Sequence, residues 1–85
     1  MNETEAEARR RLRWRCRRGL LELDLMLARF LDKGYDRLNG RQRAAFERLL
    51  TVEDNTLLSY LNGTKYPDET EFSELVAYVR DPARP

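Results

Sequence analysis

RRGLLELD, residues 17–24, joins two arginines and a glycine to a leucine-rich run that also carries Glu22 and Asp24. Its reading decides where one helix ends and the next begins. Arg15, Arg17 and Arg18 precede Gly19, where cations favour a helix C-terminus. Glu22 and Asp24 follow it, where anions favour a helix N-terminus. The pattern predicts two helices meeting at Gly19. Glu22 lies between Leu21 and Leu23, and a carboxylate on a largely apolar helix must reach solvent or find a partner. Arg18, four residues earlier, is one such partner, although in the weaker helical order. The alternative makes Arg18, Gly19 and Glu22 a surface patch, with glycine admitting the close approach of another backbone.

Working outward, Thr4 to Arg18 are good helix formers, with Ala8, Leu12 and Cys16 on one face. A second helix is expected from about Leu20 to Leu31 or Asp32. Leu20, Leu23, Leu27 and Phe30 form its stripe; Leu21 and Leu25 widen it, which predicts that most of this helix is buried. Lys33-Gly34-Tyr35-Asp36 closes it with a turn. Asn39 and Gln42 have capping-box spacing and open a third helix that sends Ala45, Phe46, Leu49 and Leu50 inward. Thr51 or Asp54 caps a short fourth helix holding Leu57, Leu58 and Leu61, which ends at Asn62-Gly63. Asp68 with Glu71 reads as a further capping box, ahead of Phe72, Leu75, Val76 and Val79 on one face and a stop at Asp81-Pro82. No segment alternates apolar and polar residues. The expected fold is all-α: a compact bundle of about five short helices in one domain over residues 1–85, frayed at 1–5 and 81–85.

At 85 residues the chain buries about 60–70% of the surface its unfolded form exposes, which leaves no room for a roofed active-site cavity beside a core. The net charge of +1 hides a division: residues 1–50 hold 13 Lys/Arg against 8 Asp/Glu, and residues 51–85 hold 3 against 7. Such asymmetry speaks about partners rather than fold. The chain has no histidine, which removes the usual general base and the commonest zinc ligand. Its one cysteine, Cys16, forms no internal disulfide and fits a reducing compartment. The composition therefore argues against an enzyme and against a metal site. No apolar run approaches the roughly 20 residues of a membrane helix. Glu3, Glu5 and Glu7 oppose a transit peptide, so the chain reads as a mature soluble protein.

The run RRRLRWRCRR, residues 9–18, has three readings. It is an RNA-binding helix pairing phosphates and stacking bases, a solvated face, or a docking surface for an acidic or polar protein. Trp14 within it is either an interface anchor or a ring folded over the bundle's edge. Residues 57–67 resemble the end of a repressor-type helix-turn-helix. However, the helix that would enter the groove carries Glu53 and Asp54 and no Lys or Arg, which opposes DNA binding.

Arg18-Gly19-Leu20-Leu21-Glu22-Leu23-Asp24, with Trp14 upstream, resembles the signature of the small succinate dehydrogenase flavinylation factors, also called assembly factors. That signature is Arg-Gly-x-x-Glu, usually extended by Leu-Asp and preceded by a short helix with an aromatic residue. Tyr35-Asp36, Phe46 with Arg48-Leu49-Leu50, Asp54 and the Leu57–Leu61 helix follow in the family's order. Tyr60 departs from it, standing where many members carry Trp. The resemblance spans roughly residues 8 to 80.

It implies a five-helix bundle in the bacterial cytoplasm, an assembly factor and not an enzyme. Its partner would be the flavoprotein subunit of succinate dehydrogenase, and also that of fumarate reductase. FAD would be the group attached covalently to a histidine of that partner, not a cofactor held tightly here. Arg18 and Glu22 would contact the partner and Gly19 would admit its close approach. Asp24 would extend the patch or cap the second helix, and Trp14 and Arg17 complete the expected partner-binding set. RNA binding by the arginine helix is the competing function.

Overall fold

Five α-helices and one 3-10 turn make up the described chain, residues 3–82 of a computed structural model. They are α1 (Glu5–Arg15), α2 (Leu21–Lys33), α3 (Gly40–Leu49), α4 (Asp54–Asn62) and α5 (Thr70–Arg80), with the 3-10 turn at Tyr35–Arg37. The all-α expectation holds, and there is no strand among the described residues.

α1 begins with a full capping box. The Thr4 hydroxyl accepts from the Glu7 N–H at 3.1 Å, and the Glu7 carboxylate accepts from the Thr4 N–H at 3.2 Å. The Thr4 hydroxyl also donates to the Glu7 carboxylate at 2.8 Å; that bond, with the one from the Thr4 N–H, favours the charged form and holds the Glu7 pKa below its usual value. Thr4 and Glu5, in the end expected to fray, take part in this cap and first turn, and Pro82 is buried beside Gly34. Residues 1–2 and 83–85 of those ends lie outside the described residues.

The first helix stops at Arg15, three residues earlier than its sequence suggests. The Arg17 N–H turns back to the Trp14 carbonyl at 3.1 Å. The next two N–H groups, of Arg18 and Gly19, donate to the Asp24 carboxylate instead of to helix carbonyls.

α2 buries Leu23, Leu27, Phe30 and Leu31. The expectation that Leu21 and Leu25 widen this buried stripe is wrong, because they are 75% and 61% exposed. Each helical residue advances by roughly 100°, so Leu21 and Leu23 point about 200° apart. Only the face with Leu23 and Leu27 meets the core. α3 opens on the expected Asn39–Gln42 box, with bonds of 2.8 and 2.9 Å, and buries Ala45, Phe46 and Leu49.

Two expected caps are replaced by neighbours. Glu53, not Thr51 or Asp54, caps α4, its carboxylate accepting from the Asn55 and Thr56 N–H groups at 3.3 Å each. The Thr51 hydroxyl instead donates to the Arg48 carbonyl at 2.6 Å, and Asp54 faces Arg18. At α5 the N-cap position falls on Glu69, which makes no side-chain cap bond, so the Asp68–Glu71 box does not form. Glu69 and Glu71 both lie 3.6 Å from the Arg48 guanidinium.

α5 packs against α2, α3 and α4, its Leu75, Val76 and Val79 entering the common core. Phe30 anchors that core, its ring centroid 5.2 Å from Phe46 and 5.5 Å from the edge-on Tyr78. α1 adds Leu12 and Cys16 at one side. No helix among the described residues is long and apolar enough to cross a membrane.

Candidate functional site

The corner between α1 and α2 is held by two residues that the sequence placed on the docking surface. Arg18 is turned inward, its side chain only 14% exposed. Its Nε donates to Asp54 Oδ1 at 2.9 Å, one terminal nitrogen donates to the Arg15 carbonyl at 2.7 Å, and the other to the Leu50 carbonyl at 2.5 Å. A longer bond of 3.4 Å reaches the Val52 carbonyl. One guanidinium therefore joins the end of α1 to the α3–α4 connection, satisfying carbonyls that the helix ends leave without partners. Arg18 does not pair with Glu22.

Asp24 reaches backwards from the first turns of α2. Its two carboxylate oxygens accept from the Arg18 N–H at 2.8 Å and the Gly19 N–H at 3.1 Å. It caps the connecting backbone rather than the amides of its own helix.

Gly19 and Glu22 are presented outward by this frame. Gly19 has φ +84°, a conformation L side chains rarely adopt, and a Cβ built on it would meet nothing within 4 Å. Glu22 is exposed in the first turn of α2, its carboxylate without a hydrogen bond or ion pair among the described residues. The positive end of the helix favours its charge without neutralising it. A carboxylate so placed is free to accept from a cation or an N–H group on another surface.

Trp14 and Arg17 stand beside this corner on the α1 side. Trp14 is 70% exposed, and the Arg17 guanidinium lies 5.5 Å from its ring centroid. The ring is not folded over the bundle's edge. Together with Asp24 they line an open groove between α1 and α2; Gly19 and Glu22 lie outside its lining.

The rest of the arginine run is largely neutralised within the chain. Arg9 pairs with Asp36, Arg11 with Glu3, Arg13 with Asp32, Arg15 with Glu47 and Arg18 with Asp54. Of the seven arginines in residues 9–18, only Arg10 and Arg17 have no carboxylate partner among the described residues. A helix committed in this way is a poor polyanion binder, because phosphate contacts need free cations.

Cys16 is 3% exposed, and burial pushes its thiol up to about 11 despite the nearby arginines. It is a small core residue, not a nucleophile. The described residues contain no cluster of His, Cys, Asp or Glu fit to hold a metal ion.

Sequence reasoning missed Asp54 as the counter-ion of Arg18, and Arg10, Leu21 and Leu25 as lining of the groove. Only the Leu21–Leu25–Ala28 spacing carried a usable signal, since it traces a second apolar stripe away from Leu23 and Leu27.

The family model described as flavinator of succinate dehydrogenase matches residues 10–83 of this chain, which includes the whole corner. The chain belongs to that family. It is similar to the FAD assembly factor SdhE of Idiomarina loihiensis, 38% identical over 78 residues that cover 92% of this chain and 87% of that protein. The FAD assembly factor SdhE of Legionella pneumophila (strain Paris) is 46% identical over 71 residues, covering 84% of this chain and 89% of that one. The Coxiella burnetii protein of the same name is 35% identical over 80 residues, covering 94% and 95%. No solved structure matches the chain. Within the flavinator family, then, this member carries its Arg-Gly-x-x-Glu sequence as a structural arginine, a bare glycine and a free glutamate.

Proposed function

We propose that this chain is an assembly factor that docks on the flavoprotein subunit of succinate dehydrogenase and promotes covalent attachment of FAD to it. Membership of the flavinator family and the likeness to FAD assembly factors over most of the chain support the reading. The observation that carries it is Glu22, exposed and unpaired beside a glycine whose outward side is empty.

The contribution is positional rather than catalytic. The histidine that receives the flavin belongs to the partner, which fits a chain with no histidine of its own. Glu22 engages a donor on the flavoprotein, and Gly19 lets the two backbones approach. Trp14 and Arg17 add an aromatic and cationic contact, while Arg18 and Asp24 keep the corner in one shape. Binding that favours one flavoprotein conformer shifts its population and aligns the groups that react. The same face would serve the related flavoprotein of fumarate reductase. A buried free thiol fits the reducing bacterial cytoplasm.

The test is covalent flavin on a co-expressed succinate dehydrogenase flavoprotein, measured after denaturation without the factor, with it, and with its Glu22→Ala form. Flavin should rise with the factor and fall with Glu22→Ala while that variant keeps its helicity. Flavin indifferent to the factor would sink the reading.

A further inference from the structure

Among the described residues four large apolar side chains stand exposed, and three of them, Trp14, Leu21 and Leu25, converge on the groove between α1 and α2. The groove encloses about 590 Å³, and Ala28 continues its floor. Leu21, Leu25 and Ala28 are four and three residues apart, so they line about 10 Å of α2, close to two helical turns. Apolar surface gathered in this way, and not scattered singly, marks an interaction site.

The charges at its edge decide what fits. Arg13 is committed to Asp32, and Asp24 to the Arg18 and Gly19 amides. That leaves Arg10, and Arg17 stacked on Trp14, as cations without a carboxylate partner among the described residues. The groove is thus an apolar floor edged by the cations Arg10 and Arg17, with the amide-bound Asp24 carboxylate as the one acid in its lining. A second copy of this chain fits poorly, because a symmetric contact would bring together two faces that each carry more cations than carboxylates.

We propose that this groove receives an acidic, amphipathic segment of the flavoprotein subunit. Its apolar residues would seat on Trp14, Leu21 and Leu25, and its carboxylates would reach Arg10 and Arg17. A helix with anchors at i and i+4 matches the spacing of the floor. This rests on the reading above that a flavoprotein is the partner, and it adds a second contact area beside Glu22. Glu22 and Gly19 would fix the register, and the groove would supply most of the apolar area.

The experiment places a photo-crosslinker in the groove by Leu25→p-benzoylphenylalanine, in the whole chain co-expressed with the flavoprotein. The cross-linked peptide is identified by mass spectrometry. Alongside it, the Leu21→Ser/Leu25→Ser and Arg10→Glu/Arg17→Glu double variants are measured for flavoprotein binding and thermal stability. All four side chains are exposed, so both variants should melt like the parent chain. The expected result is a cross-link to a flavoprotein segment rich in Asp and Glu, with binding weakened at least about tenfold in each double variant. Cross-links confined to a second copy or to lipid would overturn the inference, as would double variants that bind like the parent. If either occurs while Glu22→Ala still abolishes flavin attachment, the groove is wrong and the assembly function stands. A parent chain that neither raises covalent flavin nor binds the flavoprotein takes both down.

Discussion

Gly19 and Gly63 hold nearly the same backbone angle, φ +84° and +83°, yet their corners close by opposite means. At Gly63 the helix finishes itself. The Thr64 N–H returns to the Ser59 carbonyl at 2.9 Å and the Gly63 N–H to that of Tyr60 at 3.3 Å. The space beside its Cα is covered too, since a Cβ there would lie 3.1 Å from the Arg80 guanidinium. At Gly19 the backbone amides are satisfied by Asp24 from the next helix, and the Arg15 carbonyl by Arg18, which also reaches the Leu50 carbonyl and Asp54. The space beside its Cα is empty. A corner completed by its own helix needs no distant residue and has nothing left to offer. A corner assembled from three parts of the chain is held in one shape while its glycine stays bare.

The comparison breaks most visibly at Arg18. Arg18→Ala should strand the Leu50 and Arg15 carbonyls and the Asp54 carboxylate. It should cost about 3 kcal/mol, a fall in melting temperature of roughly 10–20 °C in a domain of this size. Calorimetry on purified protein would measure it, and a melt unchanged from the parent would remove Arg18 from the frame. Arg18→Lys should recover less than half of that loss, because one ammonium cannot serve the same spread of acceptors.

The two glycines sharpen the contrast. Gly19→Ala and Gly63→Ala should each cost about 1 kcal/mol in thermal melts, from the left-handed backbone alone. Only Gly19→Ala should reduce covalent flavin on the partner, and equal reductions from both would mean that stability, not approach, is being read.

Glu22→Gln isolates function from folding. Its melt should stay within about 0.5 kcal/mol of the parent, since the carboxylate has no partner among the described residues. Flavin attachment should fall all the same. A large loss of stability would show that Glu22 has a structural partner.

The last effect appears only in alkali. Burial raises the Cys16 thiol from its ordinary 9.0 to about 11, so the unfolded chain gives up that proton first. Stability from this group is intact below about pH 9 and is lost as pH rises through about 11. Tyr35 shifts in the same direction, again chiefly through burial. Cys16→Ala should flatten part of the decline in alkaline melts, and thiol reagents should label the parent at pH 8 only after unfolding.

Most of the fold was legible because helical periodicity and short-range caps are local properties. Asn39 with Gln42, Asn62-Gly63 and the Leu75–Val79 face all stand where their spacing puts them. The misreadings share one cause, competition settled by distant residues. Asp54 looked like a cap and is held by Arg18 from 36 positions away. Asp68 and Glu71 have the spacing of a box, but Arg48 on α3 lies against Glu71. Leu21 and Leu25 looked buried because a run of leucines does not say which face a neighbouring helix covers. At the site, Gly19 and Glu22 were legible as an exposed pair. That Arg18 holds the fold required its acceptors to be seen.

One consequence of the inward-turned Arg18 concerns living cells. Loss of Arg18 and loss of Glu22 should give alleles of different character. The first would lower the amount of folded protein that escapes proteolysis and should recover as the growth temperature is dropped. The second would leave a full pool of well-folded protein that stays idle at every temperature. A genetic screen could therefore sort the five-residue motif into its architectural and its contacting halves by thermometer alone.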